Sequence, residues 1–196
     1  MKRFGLAIFF FCLVSIICHA PLGISLDENG FATESVNWKS IKSKHCTILC
    51  HPEVNLVRVN KKIAIRFYDA FDGSRYASKG KSIEEQVADK IDRIFRKAEK
   101  ILDMYPRKMN LKIQIYKNQA QLEQEYLKAF NQSKKHKVIS FYMHKFSTIY
   151  TTERAISSDV LAHEMGHAIT DHYFLVHPPL PIKELMAQFV ETHLED

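Results

Sequence analysis

Two histidines four residues apart, with a glutamate beside the first, are the residues of this chain best suited to chemistry. They occur as His163-Glu-Met-Gly-His167. On a helix, positions i and i+4 share a face, so both imidazoles can reach one ion. Glu164 lies one residue round the helix, where it can meet water beside that ion without being a ligand. In zinc hydrolases with this spacing, the ion lowers the pKa of its water toward about 7 and the glutamate takes the proton. Such a site needs three protein ligands and one open position, so two histidines leave it incomplete.

A third ligand must come from elsewhere. A histidine six residues after the second His is excluded, because that position is Tyr173, and the glycine that accompanies such a ligand is replaced by Thr170. His172 is five positions past His167 and falls on another part of the helix surface. The segment beginning at Pro181 offers Glu184 and Glu191, seven residues apart and therefore on one helical face. The residues alone leave both open.

The elements that must position these groups follow from periodicity. A helix is expected over about 155–173, and a second over about 182–194 after the break His177-Pro-Pro-Leu-Pro181. Upstream, residues 82–105 carry Ile83, Val87, Ile91, Ile94, Phe95, Ala98, Ile101 and Leu102 as one apolar stripe. Ser82 and Glu85 there make a capping box, and Pro106 marks the expected end. Leu111, Ile113 and Ile115 alternate as a strand, residues 119–130 read as a short helix, and Lys134-Lys-His-Lys137 as a basic turn. Residues 138–143 and 148–151 read as two strands with a tight connection, and residues 37–49 as one short strand. Residues 54–72 fit either a helix or a strand, and residues 72–81 a loop. The predicted fold class is α+β: a small, mostly antiparallel or mixed sheet backed by helices, closed by the HExxH helix and a C-terminal glutamate helix.

The chain has 196 residues, 46% of them hydrophobic and 26% charged. That is ordinary globular composition and argues against disorder. Lys2 and Arg3 precede an uncharged run from Phe4 to Cys18, with a small residue at Ala20. This is the pattern of a secretory signal peptide over residues 1–20. The run is shorter than the roughly 18 residues of a spanning helix, and Ile17 before Cys18 is not the small residue of a lipoprotein site. The expectation is a secreted or periplasmic protein with no stable membrane insertion after cleavage. Residues 21–36 read as a loose lead-in and residues 37–196 as one domain. Removing residues 1–20 would lower the net charge from +6 to +4 and leave Cys46 and Cys50. Four strand residues would hold those Cα atoms about 13 Å apart, beyond the about 7 Å a disulfide tolerates. They are then buried thiols, unless the segment bends near His51-Pro52. Export and the lack of a basic stripe interleaved with aromatics speak against a nucleic-acid partner.

Leu161-Ala-His-Glu-Met-Gly-His-Ala-Ile-Thr-Asp171 resembles the active-site helix of the thermolysin-like gluzincin metallopeptidases. The order of predicted elements over residues 37–194 is similar to the compact peptidase MA-like, or minigluzincin, group. Leu180-Pro-Ile-Lys-Glu-Leu-Met-Ala187 matches that group's second active-site helix, with Leu185 where glycine is common. The resemblance implies a zincin-like domain with zinc held by His163, His167 and Glu184, and Glu164 as general base. It implies peptide-bond hydrolysis of a peptide or protein substrate by zinc-bound water. Ala187 would then let the two helices approach, and Ser140-Phe-Tyr142 would be the edge strand that receives an extended substrate. Tyr173, His177 or Tyr142 would stabilise the oxyanion. The rival expectation is an exported zinc-binding or partner-binding module of the same fold without turnover.

Overall fold

The computed structural model describes residues 24–26, 32–34, 36–65, 80–107, 109–131 and 137–196. Residues 1–20, expected to be a signal peptide, lie outside them, as do residues 66–72 of the ambiguous stretch, most of the loop expected over 72–81 and most of the basic turn expected near 134–137. The chain divides into two compact units, Met1–Val36 and Asn37–Asp196. In the first, β1 (Ile24–Leu26) pairs antiparallel with β2 (Ala32–Glu34), where only a loose lead-in was expected.

The second unit is α+β, built on a five-stranded mixed sheet in the order β3-β4-β5-β7-β6. Its centre is parallel: β4 (Cys46–Cys50), β5 (Leu111–Tyr116) and β7 (Thr148–Thr152). Both edges, β3 (Lys39–Lys42) and β6 (Phe141–Met143), pair antiparallel with their neighbours. Ile48, Ile113 and Ile149 stand in one cross-strand row, all fully buried. They form the main core with α1 (Leu56–Lys62), α2 (Ile83–Leu102) and α4 (Ser158–Tyr173). A smaller cluster joins Tyr116, Phe141 and Tyr150 to Leu122 of α3 (Gln119–Phe130). These side chains alternate with the isoleucine row, so the two clusters occupy opposite faces.

Three boundaries differ from expectation for identifiable reasons. Residues 37–49 fold as a β3–β4 hairpin, not one strand. Its turn is held by Asp92 of α2, whose carboxylate accepts from the Lys44 and His45 amides and the Ser43 hydroxyl at 2.7–3.0 Å. Helix α2 has the expected capping box but stops at Leu102, short of Pro106. Asp103 adopts a left-handed conformation (φ 52°), and its amide donates to the Glu99 and Lys100 carbonyls. In the ambiguous stretch the helix forms, because Leu56, Val59 and Ile63 bury along one helical stripe.

Cys46 and Cys50 are free, buried thiols at the two ends of β4. Burial raises the pKa of both, that of Cys50 to about 11, so neither is a reactive thiolate near neutral pH. No described helix is long and apolar enough to cross a membrane.

Candidate metal centre

Ser157 starts α4 by accepting the Val160 amide. Phe174 is extended and ends it. The prolines that follow cannot continue that helix and instead open α5 (Leu180–Thr192), with Pro181 in its first turn. The two helices cross closely. A Cβ on Gly166 would lie 2.8 Å from the Ala187 Cα and 3.4 Å from the Val190 Cγ2. Ala187 is therefore one half of a small-residue contact whose other half is Gly166 inside the HExxH motif.

That crossing decides what the α5 glutamates meet. Glu184, Ala187 and Glu191 lie on one stripe of α5, so the glutamates flank the point of closest approach. Glu184 reaches between the histidines, with Oε1 3.6 Å from His163 Nε2 and Oε2 3.4 Å from His167 Nε2. One donor atom from each of His163, His167 and Glu184 lies within 4.8 Å of the others. Donors around a tetrahedral ion with bonds of 2.0–2.1 Å stand about 3.4 Å apart. The three residues thus fit a divalent ion with little rearrangement.

Glu191 meets the other side of His163. Its carboxylate is 2.9 Å from Nδ1, and a carboxylate can only accept, so Nδ1 carries the proton. In a neutral ring, that tautomer presents the Nε2 lone pair to Glu184. Metal-binding histidines are commonly oriented in this way by an outer carboxylate. The two glutamates that the sequence left as rivals for one place have separate positions, one inside the donor set and one behind it. Burial, aided by the neighbouring His163 and opposed by Glu184 and Asp171, lowers the pKa of His167, which favours the neutral form a metal requires.

Glu164 is buried, with 6% of its surface exposed. Desolvation raises its pKa to about 7, against the opposing pull of His163, the Ser140 hydroxyl and the Tyr142 backbone. A carboxyl poised there can take up and return a proton near neutral pH. Its contacts with Ser140 and Tyr142 place it against strand β6, which is an edge of the sheet.

The other sequence candidates fall elsewhere. Tyr173 is half exposed at the end of α4, and the Tyr142 hydroxyl is 3.4 Å from His172 Nδ1. His177 Nδ1 is 3.3 Å from Asp171 Oδ1. His172 donates from Nδ1 to the Ala168 carbonyl, meets the Ser147 hydroxyl at Nε2, and takes no part in the donor set. A second cluster, His144, Asp171 and His177, also brings one ligand atom from each within 4.8 Å. The sequence reading missed it, since its members belong to three segments and share no motif.

Comparison with known proteins finds no matching family model, no matching curated protein and no matching solved structure, so the functional reading rests on this geometry.

Proposed function

We propose that this chain is an exported zinc-dependent metallopeptidase of the gluzincin kind. The carrying observation is the convergence of His163 Nε2, His167 Nε2 and a Glu184 oxygen, beside a buried Glu164 with a pKa raised to about 7. Two imidazoles and one carboxylate suit zinc and leave room for a fourth, exchangeable position. When bound there, zinc supplies Lewis acidity toward a carbonyl oxygen and acidity to water.

The chain's own residues do the rest. Glu191 holds His163 in the tautomer that presents Nε2. Glu184 brings a negative charge that offsets the ion's. Glu164 accepts a proton from the attacking water and returns it to the leaving amine, which its raised pKa permits near pH 7. Among the described residues, edge strand β6 has a sheet neighbour on one side only, so its backbone can align an extended peptide by strand addition. Export is supported by the basic and apolar pattern of residues 1–20.

The test is zinc content and peptide cleavage of the wild type and of Glu164→Gln. The expected outcome is unchanged zinc with cleavage reduced about 100-fold or more. Zinc retained with undiminished cleavage would refute the role of Glu164. Zinc bound by a wild type that cleaves no peptide would support a binding module of the same architecture instead.

A further inference from the structure

Asp171 closes the last turn of α4 with its side chain only 4% exposed. A carboxylate buried so deeply requires compensating charge or donors. Three groups from three segments face it. His144, in the turn after β6, brings Nδ1 to 3.9 Å from Oδ2. His177, in the α4–α5 loop, brings Nδ1 to 3.3 Å from Oδ1. Lys183 of α5 places its ammonium 3.0 Å from Oδ1. The Oδ1 atom nevertheless has no hydrogen bond of acceptable geometry.

The two imidazoles pack edge to face beside this carboxylate, with ring centroids 4.5 Å apart at 72°. Their spacings of 3.3 and 3.9 Å from Asp171 bracket the roughly 3.4 Å between donors on a tetrahedral ion. Both histidines are about half exposed, which leaves water access to the remaining coordination positions. Lys183 is a rival cation for the same oxygens. A carboxylate offers about four lone-pair directions, so the ammonium can keep one or swing toward solvent.

We propose that His144, Asp171 and His177 form a second site for a divalent transition ion of the zinc class. The site is separate in every donor from the His163 centre and does not depend on the peptidase reading. Its occupancy ties the turn after edge strand β6 to the loop that leads into the Glu184 helix. The ion is thus a clip between those two segments.

The experiment is titration of the metal-stripped full chain with zinc and with cobalt(II), reading bound stoichiometry, cobalt absorption and thermal midpoint. The wild type should bind two equivalents. His144→Ala/His177→Ala should lose one equivalent together with part of the metal-dependent rise in midpoint. His163→Ala/His167→Ala should keep the equivalent that the first pair loses. Lys183→Gln, lacking the rival cation, should bind that equivalent at least tenfold more tightly. Full wild-type stoichiometry in His144→Ala/His177→Ala would overturn the proposal, as would an unchanged or weaker second affinity in Lys183→Gln. A single wild-type equivalent lost only in His163→Ala/His167→Ala would overturn it too. One lost only in His144→Ala/His177→Ala would support this site and sink the peptidase reading. If His163→Ala/His167→Ala does not fold, the His144→Ala/His177→Ala stoichiometry decides alone, since those two side chains are surface groups.

Discussion

Gly166→Ala tests whether the α4–α5 crossing builds the metal centre. The new methyl carbon would stand 2.8 Å from the Ala187 Cα, 3.4 Å from its Cβ and 3.4 Å from the Val190 Cγ2. Carbon atoms rest at about 3.5–4.0 Å, so the helices must part by about 0.7–1.2 Å at that point. The closest obstacle is backbone, which cannot rotate away. Overpacking of this kind costs about 1–3 kcal/mol, while alanine in place of glycine inside a helix returns about 1 kcal/mol. The expected net loss of folding stability is therefore small, about 1 kcal/mol.

Metal affinity should suffer more. Glu184 precedes Ala187 by one helical turn on the same stripe, so it moves with the displaced helix. Metal–ligand distances tolerate only about ±0.2 Å, which makes a shift approaching 1 Å enough to loosen the carboxylate contact. Affinity should drop at least tenfold, about 1.4 kcal/mol. Competition against a calibrated chelator gives the affinity, and denaturant unfolding of the metal-free protein gives the stability. Adding Ala187→Gly should not rescue Gly166→Ala, because the 2.8 Å contact is to Cα and survives loss of the Ala187 methyl. Wild-type affinity within twofold, or full rescue by Ala187→Gly, would refute the reasoning.

Glu191→Ala removes the acceptor on His163 Nδ1 and should weaken metal binding about 10–100-fold. Unfolding of the metal-free protein should change by less than about 0.5 kcal/mol, since Glu191 is exposed. Glu99 on α2 is half buried, and desolvation raises its pKa from 4.5 to about 7. Its contribution to stability is therefore full below pH 4.5 and is lost as pH rises through 7. Glu99→Gln should accordingly unfold at higher denaturant than wild type at pH 8, with the gap closing by pH 4.5; a gap that does not shrink on acidification would contradict this. Asp103 holds φ 52° at the end of α2, a region that costs side-chain-bearing residues energy and glycine little. Asp103→Gly should raise stability by about 0.5–1 kcal/mol in denaturant unfolding, and a loss would show that the aspartate side chain contributes more than the strain.

Elements set by local chemistry were legible in the sequence. The Ser82–Glu85 box and an uninterrupted apolar stripe start and run α2 without help from the rest of the fold. Likewise Asn118 and Gln121 cap α3, which spans the predicted 119–130. What failed depends on distant partners or on a cap with no sequence signal. The β3–β4 turn exists because Asp92, 47–49 residues away, gathers two amides and a hydroxyl. Nothing in residues 43–45 announces that acceptor. The end of α2 was misplaced because Pro106 is a visible stop signal, while a left-handed aspartate three residues earlier is not.

The site divides along the same line. The i, i+4 pair and the flanking glutamate are local facts of one helix, so His163, Glu164 and His167 could be named from spacing. Glu184 and Glu191 could be placed on one face of α5 but not ordered, because seven residues is two turns and both point the same way. Which imidazole nitrogen each one meets depends on the height at which α5 crosses α4. The contact of Gly166 with Ala187 fixes that height. With the crossing set there, Glu184 falls level with the gap between the histidines and Glu191 falls behind His163. A one-turn slip of α5 would bring Leu180–Pro181 or Ala187–Gln188 to the donor gap instead, and none of these supplies a carboxylate. The glycine inside the HExxH motif is thus as much a determinant of the metal set as the charged residues around it, through packing alone.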